Sequence, residues 1–171
     1  MKVSDLIAQF LRRYVEHVFV VSGGANLHII DSIARTEGIG YVACCHESAC
    51  GFAADAYARL RGMGVACATS GPGATNLVTA IAAAYYDSVP VLFLTGQVAT
   101  FRLSGDSGVR QTGFQETPIV DMVRSVTKYA VMVTEPKRVR YELDRAIVEA
   151  RTGRHGPVLV DVCDDVQRVD V

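Results

Sequence analysis

Residues 40–59 read Gly40-Tyr41-Val42-Ala43-Cys44-Cys45-His46-Glu47-Ser48-Ala49-Cys50-Gly51-Phe52-Ala53-Ala54-Asp55-Ala56-Tyr57-Ala58-Arg59. The short apolar run at the start is typical of a strand, and the alanine-rich segment after it favours a helix. Glu47 therefore falls at a junction between a strand and a helix. Ligands of open α/β sheets bind at the carboxyl ends of the strands, which makes Glu47 a candidate functional carboxylate. The helix dipole alone also favours a glutamate in a first helical turn, so a purely structural role stands beside the functional one.

The same alternation of strand and helix repeats along the chain. Apolar runs predict six strands, over residues 17–21, 39–44, 65–69, 89–95, 127–133 and 158–162. Further helices are predicted over 4–14 with Ser4 as the N-cap, from 27 to 34 with Leu27, Ile30, Ile33 and Ala34 on the buried face, over 74–86, over 118–124 and from 135 onwards. Such repeats imply an α/β fold with three layers, α/β/α, around a mainly parallel six-stranded sheet. The charged segment 164–168 is expected to lead out of the domain.

The composition indicates one globular domain, which we expect to span residues 1–171. Half of the residues are apolar and 20% are charged, and the net charge of −1 offers no basic surface for nucleic acid or an anionic membrane. Val65–Tyr86 carries no charge, but Ser70-Gly71-Pro72-Gly73 interrupts it, so we expect no membrane span. Five cysteines without a metal-binding spacing favour buried, reduced thiols in a cytoplasmic protein.

A glycine-rich turn, Thr69-Ser70-Gly71-Pro72-Gly73-Ala74-Thr75-Asn76, joins a predicted strand to a predicted helix. Backbone N–H groups at such a position can hold an anion. The turn lacks the third glycine of a dinucleotide fingerprint, the acidic residue after the next strand and the lysine of a P-loop. A nucleotide-binding domain is therefore disfavoured. A tight turn that uses glycine only because the backbone is crowded explains this motif as well as anion binding does.

Four strand ends are predicted to meet at one edge of the sheet. Ser22-Gly23-Gly24-Ala25-Asn26, Glu47 and the Gly71 turn follow successive strands, and a long loop over 96–116 leaves the same edge with Gln115 near its end. One carboxylate, two glycine-rich backbones and an amide suit a neutral heteroaromatic ring better than a phosphate. His46 could transfer protons or simply cap the helix, and Cys44 and Cys45 are expected to be small buried residues at a strand end.

Several stretches together resemble a known family. They are His46-Glu47 with Ala53-Ala54-Asp55-Ala56-Tyr57-Ala58-Arg59, the turn 69–76, Asp87-Ser88-Val89-Pro90, Thr95-Gly96-Gln97-Val98 and Phe114-Gln115-Glu116. In this order they resemble the pyrimidine-binding domain of thiamine diphosphate enzymes, most closely the acetolactate synthase branch. The resemblance runs from Val18 to Val162. It implies the thiamine diphosphate-binding fold and a lyase or carboligase that acts on a 2-oxo acid.

The resemblance also implies a role for individual residues. Glu47 would hydrogen-bond N1′ of the aminopyrimidine, so that the neighbouring 4′-imino nitrogen can take the proton from C2 of the thiazolium ring. Gln115 would present its amide to the reacting centre. The remaining positions that match the cofactor-binding residues of the family are Ser22, Gly23, Gly24, Thr69, Pro72, Gly73 and Asn76.

Some positions depart from the family pattern. Ser22 stands where the family usually has proline, His28 replaces another common proline, and the loop before Phe114 is longer than in typical acetolactate synthases. These differences leave cofactor activation intact and leave the identity of the 2-oxo acid open.

The resemblance further implies partners outside these residues. The family holds the diphosphate through Mg²⁺ on a Gly-Asp-Gly…Asn-Asn pattern that this sequence lacks, and the middle domain that carries FAD in some members is also absent. We therefore expect an excised domain or one subunit of a split enzyme, inactive alone, that pairs with a diphosphate-binding domain and forms a homodimer or a larger assembly. The alternative is a binding or regulatory module that keeps the fold without catalysis.

Overall fold

A parallel sheet of six strands forms the centre of the computed structural model, which describes residues 1–171. The strands are β1 (His17–Val20), β2 (Gly40–Ala43), β3 (Gly64–Ala68), β4 (Val91–Gln97), β5 (Tyr129–Val133) and β6 (Val158–Cys163). Their order across the sheet is β2-β1-β3-β4-β6-β5, and every neighbouring pair is parallel.

Helices cover both faces of this sheet. They are α1 (Val3–Leu11), α2 (Leu27–Arg35), α3 (Glu47–Arg61), α4 (Pro72–Thr75), α5 (Val78–Asp87), α6 (Ile119–Val123), α7 (Val139–Arg151) and α8 (Asp164–Arg168). Side chains of α1, α2, α7 and α8 share one apolar core with the sheet, and those of α3, α5 and α6 share the other. The predicted three-layer α/β/α fold is confirmed.

The side chains of β4 alternate between the two faces of the sheet, which explains why two cores form. Leu92 and Leu94 point into the core beneath α1 and α7, whereas Phe93 points into the core beneath α3 and α5. Successive side chains of a strand face opposite sides, so a continuous apolar run requires cover on both. All seven residues of β4 are buried accordingly.

Two helices differ from their predicted limits or faces. The first begins at Val3 and ends at Leu11, and Ser4 is not its cap but a buried residue whose hydroxyl lies 2.9 Å from that of Ser32. In α2 the buried residues are Ile29, Ser32 and Ile33, while Leu27 is 52% exposed. The predicted face is therefore right in part. Ile33 is buried and Ile30 packs half-buried against the same core, whereas Leu27 and Ala34 are exposed. Ser32 lies on the buried face because it bonds to Ser4 of α1.

The predicted helix over 74–86 is broken into α4 and α5. Asn76 and Leu77 lie between them. The Asn76 carbonyl accepts a hydrogen bond of 2.7 Å from the Ser48 hydroxyl at the start of α3, which ties the break to the neighbouring helix. Strand β4 also extends two residues beyond the predicted end, to Gln97.

The carboxyl-terminal segment belongs to the fold, and the prediction that it leaves the domain was wrong. Val166 and Gln167 of α8 are buried. The Gln167 amide donates to the carbonyls of Ala25 at 2.7 Å and Val162 at 2.9 Å. Of the charged residues in this segment, Asp164 and Asp165 are half-buried and Arg168 is exposed. No helix of the chain combines the length and the apolar character that crossing a membrane requires.

Candidate functional site

Glu47 is the first residue of α3, directly after the end of β2. The Asn76 amide donates to its Oε2 at 2.9 Å, and Oε1 has no hydrogen-bond partner within the chain. Nδ1 of His46 accepts a hydrogen bond from the Ser48 N–H at 3.1 Å, so His46 caps the helix. Glu47 is half-buried, and Oε1 keeps its hydrogen-bonding capacity unused within the chain.

Gly73 leaves space beside this carboxylate. A Cβ atom at Gly73 would lie 3.5 Å from Glu47 Oε1 and 2.7 Å from Thr69 Cγ2. The backbone of α4 therefore sits against Thr69 and leaves the approach to Glu47 clear. Pro72, in the same turn, is exposed and occupies the first position of α4.

Thr69 joins the two glycine-rich turns. Its hydroxyl accepts a hydrogen bond of 3.1 Å from the Ala25 N–H, and a Cβ atom at Gly23 would come within 2.5 Å of Thr69 Cβ. The predicted meeting of the Ser22-Gly23-Gly24 turn with the Gly71 turn is therefore present as direct contact. Ser22 itself is exposed.

Asn26 holds the first turn in shape, and the sequence analysis did not single it out. It is fully buried, its Oδ1 accepts from the Gly23 N–H at 2.9 Å, and its amide donates to the Val21 carbonyl at 3.0 Å. The Asn26 side chain bonds back to the N-cap of the short helix Gly24–Asn26, as the third residue does in a capping box.

Gln115 reaches the same edge of the sheet from the long loop. It adopts a φ of 62°, in the left-handed region that residues other than glycine rarely occupy, and it lies against Gly71. Such strain is stored most often at functional sites. The neighbouring Phe114 is 84% exposed.

A cleft of about 310 Å³ lies beside these residues. Its walls include Gly24, Thr69, Ser70, Arg102, Gln115 and Asp164. Glu47 and Asn76 are not among the lining residues. The cleft therefore lies on the Thr69 side of the edge, and Gln115 links it to the Gly71 turn.

A buried polar network supports the loop from below and was also missed. Asp161 accepts hydrogen bonds from Thr95 at 2.7 Å and from the Gln97 amide at 2.8 Å, and the same amide donates to the Thr117 carbonyl at 2.9 Å. Burial raises the pKa of Asp161 to about 7, against the opposing effect of these hydrogen bonds. No periodicity of the sequence indicates that a strand aspartate is fully enclosed.

The cysteines are all reduced, and they differ in exposure. Cys45 is exposed and Cys44 is half-buried, so the expectation that both are buried was wrong. Burial raises the pKa of Cys67 to about 12, which keeps this thiol protonated. No group of three or more His, Cys, Asp or Glu side chains is arranged to hold a metal ion.

The parallel sheet and the glycine turns at the carboxyl ends of its strands define an α/β domain with its ligand-binding edge at the point where α3, α4 and the long loop meet. Comparison with protein families gives this class a name. Residues 1–123 match the family described as thiamine pyrophosphate enzyme, N-terminal TPP binding domain. The chain belongs to this family.

Curated relatives agree with this assignment. The chain is 43% identical to chloroplastic acetolactate synthase of Arabidopsis thaliana, over 98% of the chain and 24% of the relative. It is 44% identical to acetolactate synthase of Arthrospira platensis, over 97% of the chain and 28% of the relative. The chain thus spans only 24% to 28% of the length of these two relatives.

Proposed function

We propose that this chain is the pyrimidine-binding part of a thiamine diphosphate-dependent enzyme that acts on a 2-oxo acid, as an acetolactate synthase does. The observation that carries the proposal is Glu47, whose Oε2 is held by Asn76 at 2.9 Å while Oε1 is free. A carboxylate fixed on one oxygen presents the other in a single orientation.

The residues around Glu47 fit an aminopyrimidine. A Cβ atom at Gly73 would lie 3.5 Å from Oε1 and 2.7 Å from Thr69 Cγ2, so glycine at this position keeps side-chain bulk away from both groups. Ser22, Gly23 and Gly24 form the floor on the other side of Thr69, and Pro72 opens the turn that carries Gly73. The ring is neutral and aromatic, which suits backbone and small side chains rather than a cluster of cations.

When bound, thiamine diphosphate supplies the acidic C2 carbon of its thiazolium ring. Glu47 would share a proton with the aminopyrimidine through Oε1, and the hydrogen bond from Asn76 to Oε2 would keep the carboxylate from rotating away. This is general acid–base catalysis through a positioned carboxyl group. Gln115, whose backbone lies against Gly71, would present its amide to the reacting centre.

The rest of the cofactor requires a second domain. We propose that Mg²⁺ and the diphosphate bind to a diphosphate-binding domain in the same protein or in another chain, and that FAD, where it is used, binds outside these residues. Exposed apolar side chains support such an assembly, a homodimer or larger: Leu60 is 85% exposed and Phe114 84%. We assign the protein to the cytoplasm on its reduced cysteines.

Reconstitution tests this function. The 171-residue chain, supplied with thiamine diphosphate and Mg²⁺, is expected to release no CO₂ from pyruvate, and addition of a diphosphate-binding domain of the family is expected to restore release. Steady turnover by the chain alone would contradict the proposed division of the cofactor site.

A further inference from the structure

A second cavity, of about 370 Å³, lies at the amino ends of the strands, away from Glu47. Its walls are formed by Tyr85, Tyr86, Lys128, Arg154 and His155. The two tyrosines lie at the end of α5, before β4, while Lys128 directly precedes β5 and Arg154 lies shortly before β6. Because all the strands are parallel, their amino ends lie at one edge of the sheet and their carboxyl ends at the other. The cavity is therefore separate from the candidate cofactor site.

Lys128 is held in this cavity by the end of α7. Its ammonium group donates to the carbonyls of Glu149 and Thr152, the second at 2.6 Å. It forms no ion pair within the chain, and the carboxylate of Glu149 lies 4.0 Å from Arg145 instead. The positive charge of Lys128 thus has no carboxylate partner, and its third ammonium hydrogen is unused.

Arg154 is held in a similar way by the end of α5. Its Nε–H donates to the Ser88 hydroxyl at 2.7 Å, and its Nη2 donates to the Tyr86 carbonyl at 3.3 Å. The neighbouring carboxylate of Asp87 pairs with Arg59 at 2.6 Å, so it does not neutralise Arg154. The remaining N–H groups of the guanidinium have no partner within the chain and are available to a ligand.

The charges around the cavity favour an anion. The carbonyl ends of α5 and α7 carry roughly half a negative charge each, against the two full positive charges of Lys128 and Arg154. No acidic side chain lines the cavity, so a net positive charge remains. The unused donors of the two cations outnumber the two oxygens of a carboxylate, and they suit the three oxygens of a phosphate group.

Two tyrosine rings form the rest of the binding surface. The ring centroids of Tyr85 and Tyr86 are 5.7 Å apart and their planes meet at 78°, so the rings form a corner. The side chain of Tyr86 is 71% exposed. An exposed aromatic face offers a surface on which a planar group can stack. The volume of the cavity lies at the lower end of the range of small-molecule sites, about 300–1,000 Å³.

We propose that this cavity binds a small phosphate monoester that carries an aromatic ring. The phosphate would accept hydrogen bonds from Arg154 and Lys128, and the ring would stack on Tyr86. This inference is independent of the proposed function, because the cavity shares no residue with the candidate cofactor site.

Calorimetric titration of the 171-residue chain with phenyl phosphate tests the site. We expect one molecule to bind per chain, about tenfold or more tightly than benzoate or inorganic phosphate, because only phenyl phosphate combines the phosphate contacts with ring stacking. The NMR resonance of the Arg154 Nε–H should shift as phenyl phosphate binds. Absence of saturable binding, or equal affinity for benzoate, would overturn the proposal.

Two variants separate the phosphate contacts from the stacking. Arg154→Gln should weaken phenyl phosphate and inorganic phosphate alike, by about 10- to 100-fold, as for the loss of a charge-assisted hydrogen bond. Tyr86→Ala should weaken phenyl phosphate by about 5- to 100-fold and leave inorganic phosphate unchanged, since only stacking is lost. Tyr86→Ala keeps the carbonyl that holds Arg154, so it tests the site even where Arg154→Gln disturbs the turn at Ser88.

The matched controls are Arg110→Gln and Tyr141→Ala, which remove an exposed arginine and an exposed tyrosine outside the cavity. Neither control should change the affinity for phenyl phosphate. Wild-type affinity in Tyr86→Ala, or equal losses in the controls, would show that phenyl phosphate does not bind in this cavity as proposed.

Discussion

Gly71 and Gln115 are in direct contact across the candidate site: a Cβ atom at Gly71 would lie 2.7 Å from Gln115 Cβ and 2.9 Å from its carbonyl oxygen. Gly71 has φ 60° and ψ −123°, a conformation that L residues with side chains strongly disfavour. The glycine turn therefore restricts where the backbone of Gln115 can lie.

Replacement of Gly71 by alanine should destabilise the protein and displace Gln115. We expect the free energy of unfolding to fall by about 1–3 kcal/mol from backbone strain, with a further loss from the clash. Chemical denaturation measures this change. Gly105→Ala is the matched control, since Gly105 also has positive φ but nothing lies within 4 Å of the added Cβ. An equal loss in both variants would show that the contact with Gln115 contributes nothing.

Glu116 organises the loop that carries Gln115. Its carboxylate accepts hydrogen bonds from Ser104 N–H and hydroxyl and from the N–H groups of Thr112 and Gly113. Burial works to raise the pKa of Glu116, but these hydrogen bonds outweigh it and lower the pKa overall. The contribution of Glu116 to loop order is therefore present at neutral pH and is lost as pH falls through its pKa.

Glu116→Gln should loosen the loop at neutral pH. The NH₂ group of glutamine is a donor, and it would replace an oxygen that accepts hydrogen bonds from backbone N–H groups. We expect amide hydrogen exchange of Ser104, Thr112 and Gly113 to accelerate by about tenfold, as for the loss of one buried hydrogen bond. Asp106→Asn, in an exposed part of the same loop, should leave exchange unchanged. Unaltered protection in Glu116→Gln would remove the carboxylate from this role.

Asp161 should make stability depend on pH in the direction opposite to an ordinary salt-bridged aspartate. Its pKa rises from 3.8 to about 7 on folding, so between these values the folded state binds a proton that the unfolded state has lost. Stability is greatest below this range and falls as pH rises through it, by at most about 1.4 kcal/mol per pH unit.

Urea unfolding at pH 5 and pH 7 measures the effect. The stability of wild type relative to Asp161→Asn should decrease between these pH values, because the asparagine cannot ionise. In Asp106→Asn, the free energy of unfolding should change with pH as it does in wild type. A relative stability that is constant or increases with pH would contradict the buried, protonated aspartate.

The sequence predicts those parts of the fold that depend on local apolar patterns. Continuous runs such as Val91–Leu94 indicate strands covered on both faces, and glycine turns after them indicate the functional edge. The break between α4 and α5 could not be predicted, because it depends on Asn76 reaching Glu47 and Ser48 in another helix.

Polar residues inside the core account for most of the remaining errors. Ser32 is a polar residue on the buried face of α2, so the apolar pattern alone predicted a shifted face. Gln167 is buried in α8, although its polarity and the neighbouring charges predicted a segment that leaves the domain. Each of these residues is identified by tertiary neighbours rather than by spacing.

The proposed activation of the cofactor by Glu47 is tested most directly by the rate at which the C2 proton of thiamine diphosphate exchanges with D₂O. The measurement uses the complete enzyme at saturating cofactor and Mg²⁺, with Glu37→Gln, an exposed surface change, as the control. We expect Glu47→Gln to slow exchange by about 100-fold or more, the usual contribution of a positioned acid–base group, and Glu37→Gln to leave it unchanged. Exchange at the wild-type rate in Glu47→Gln would contradict the account.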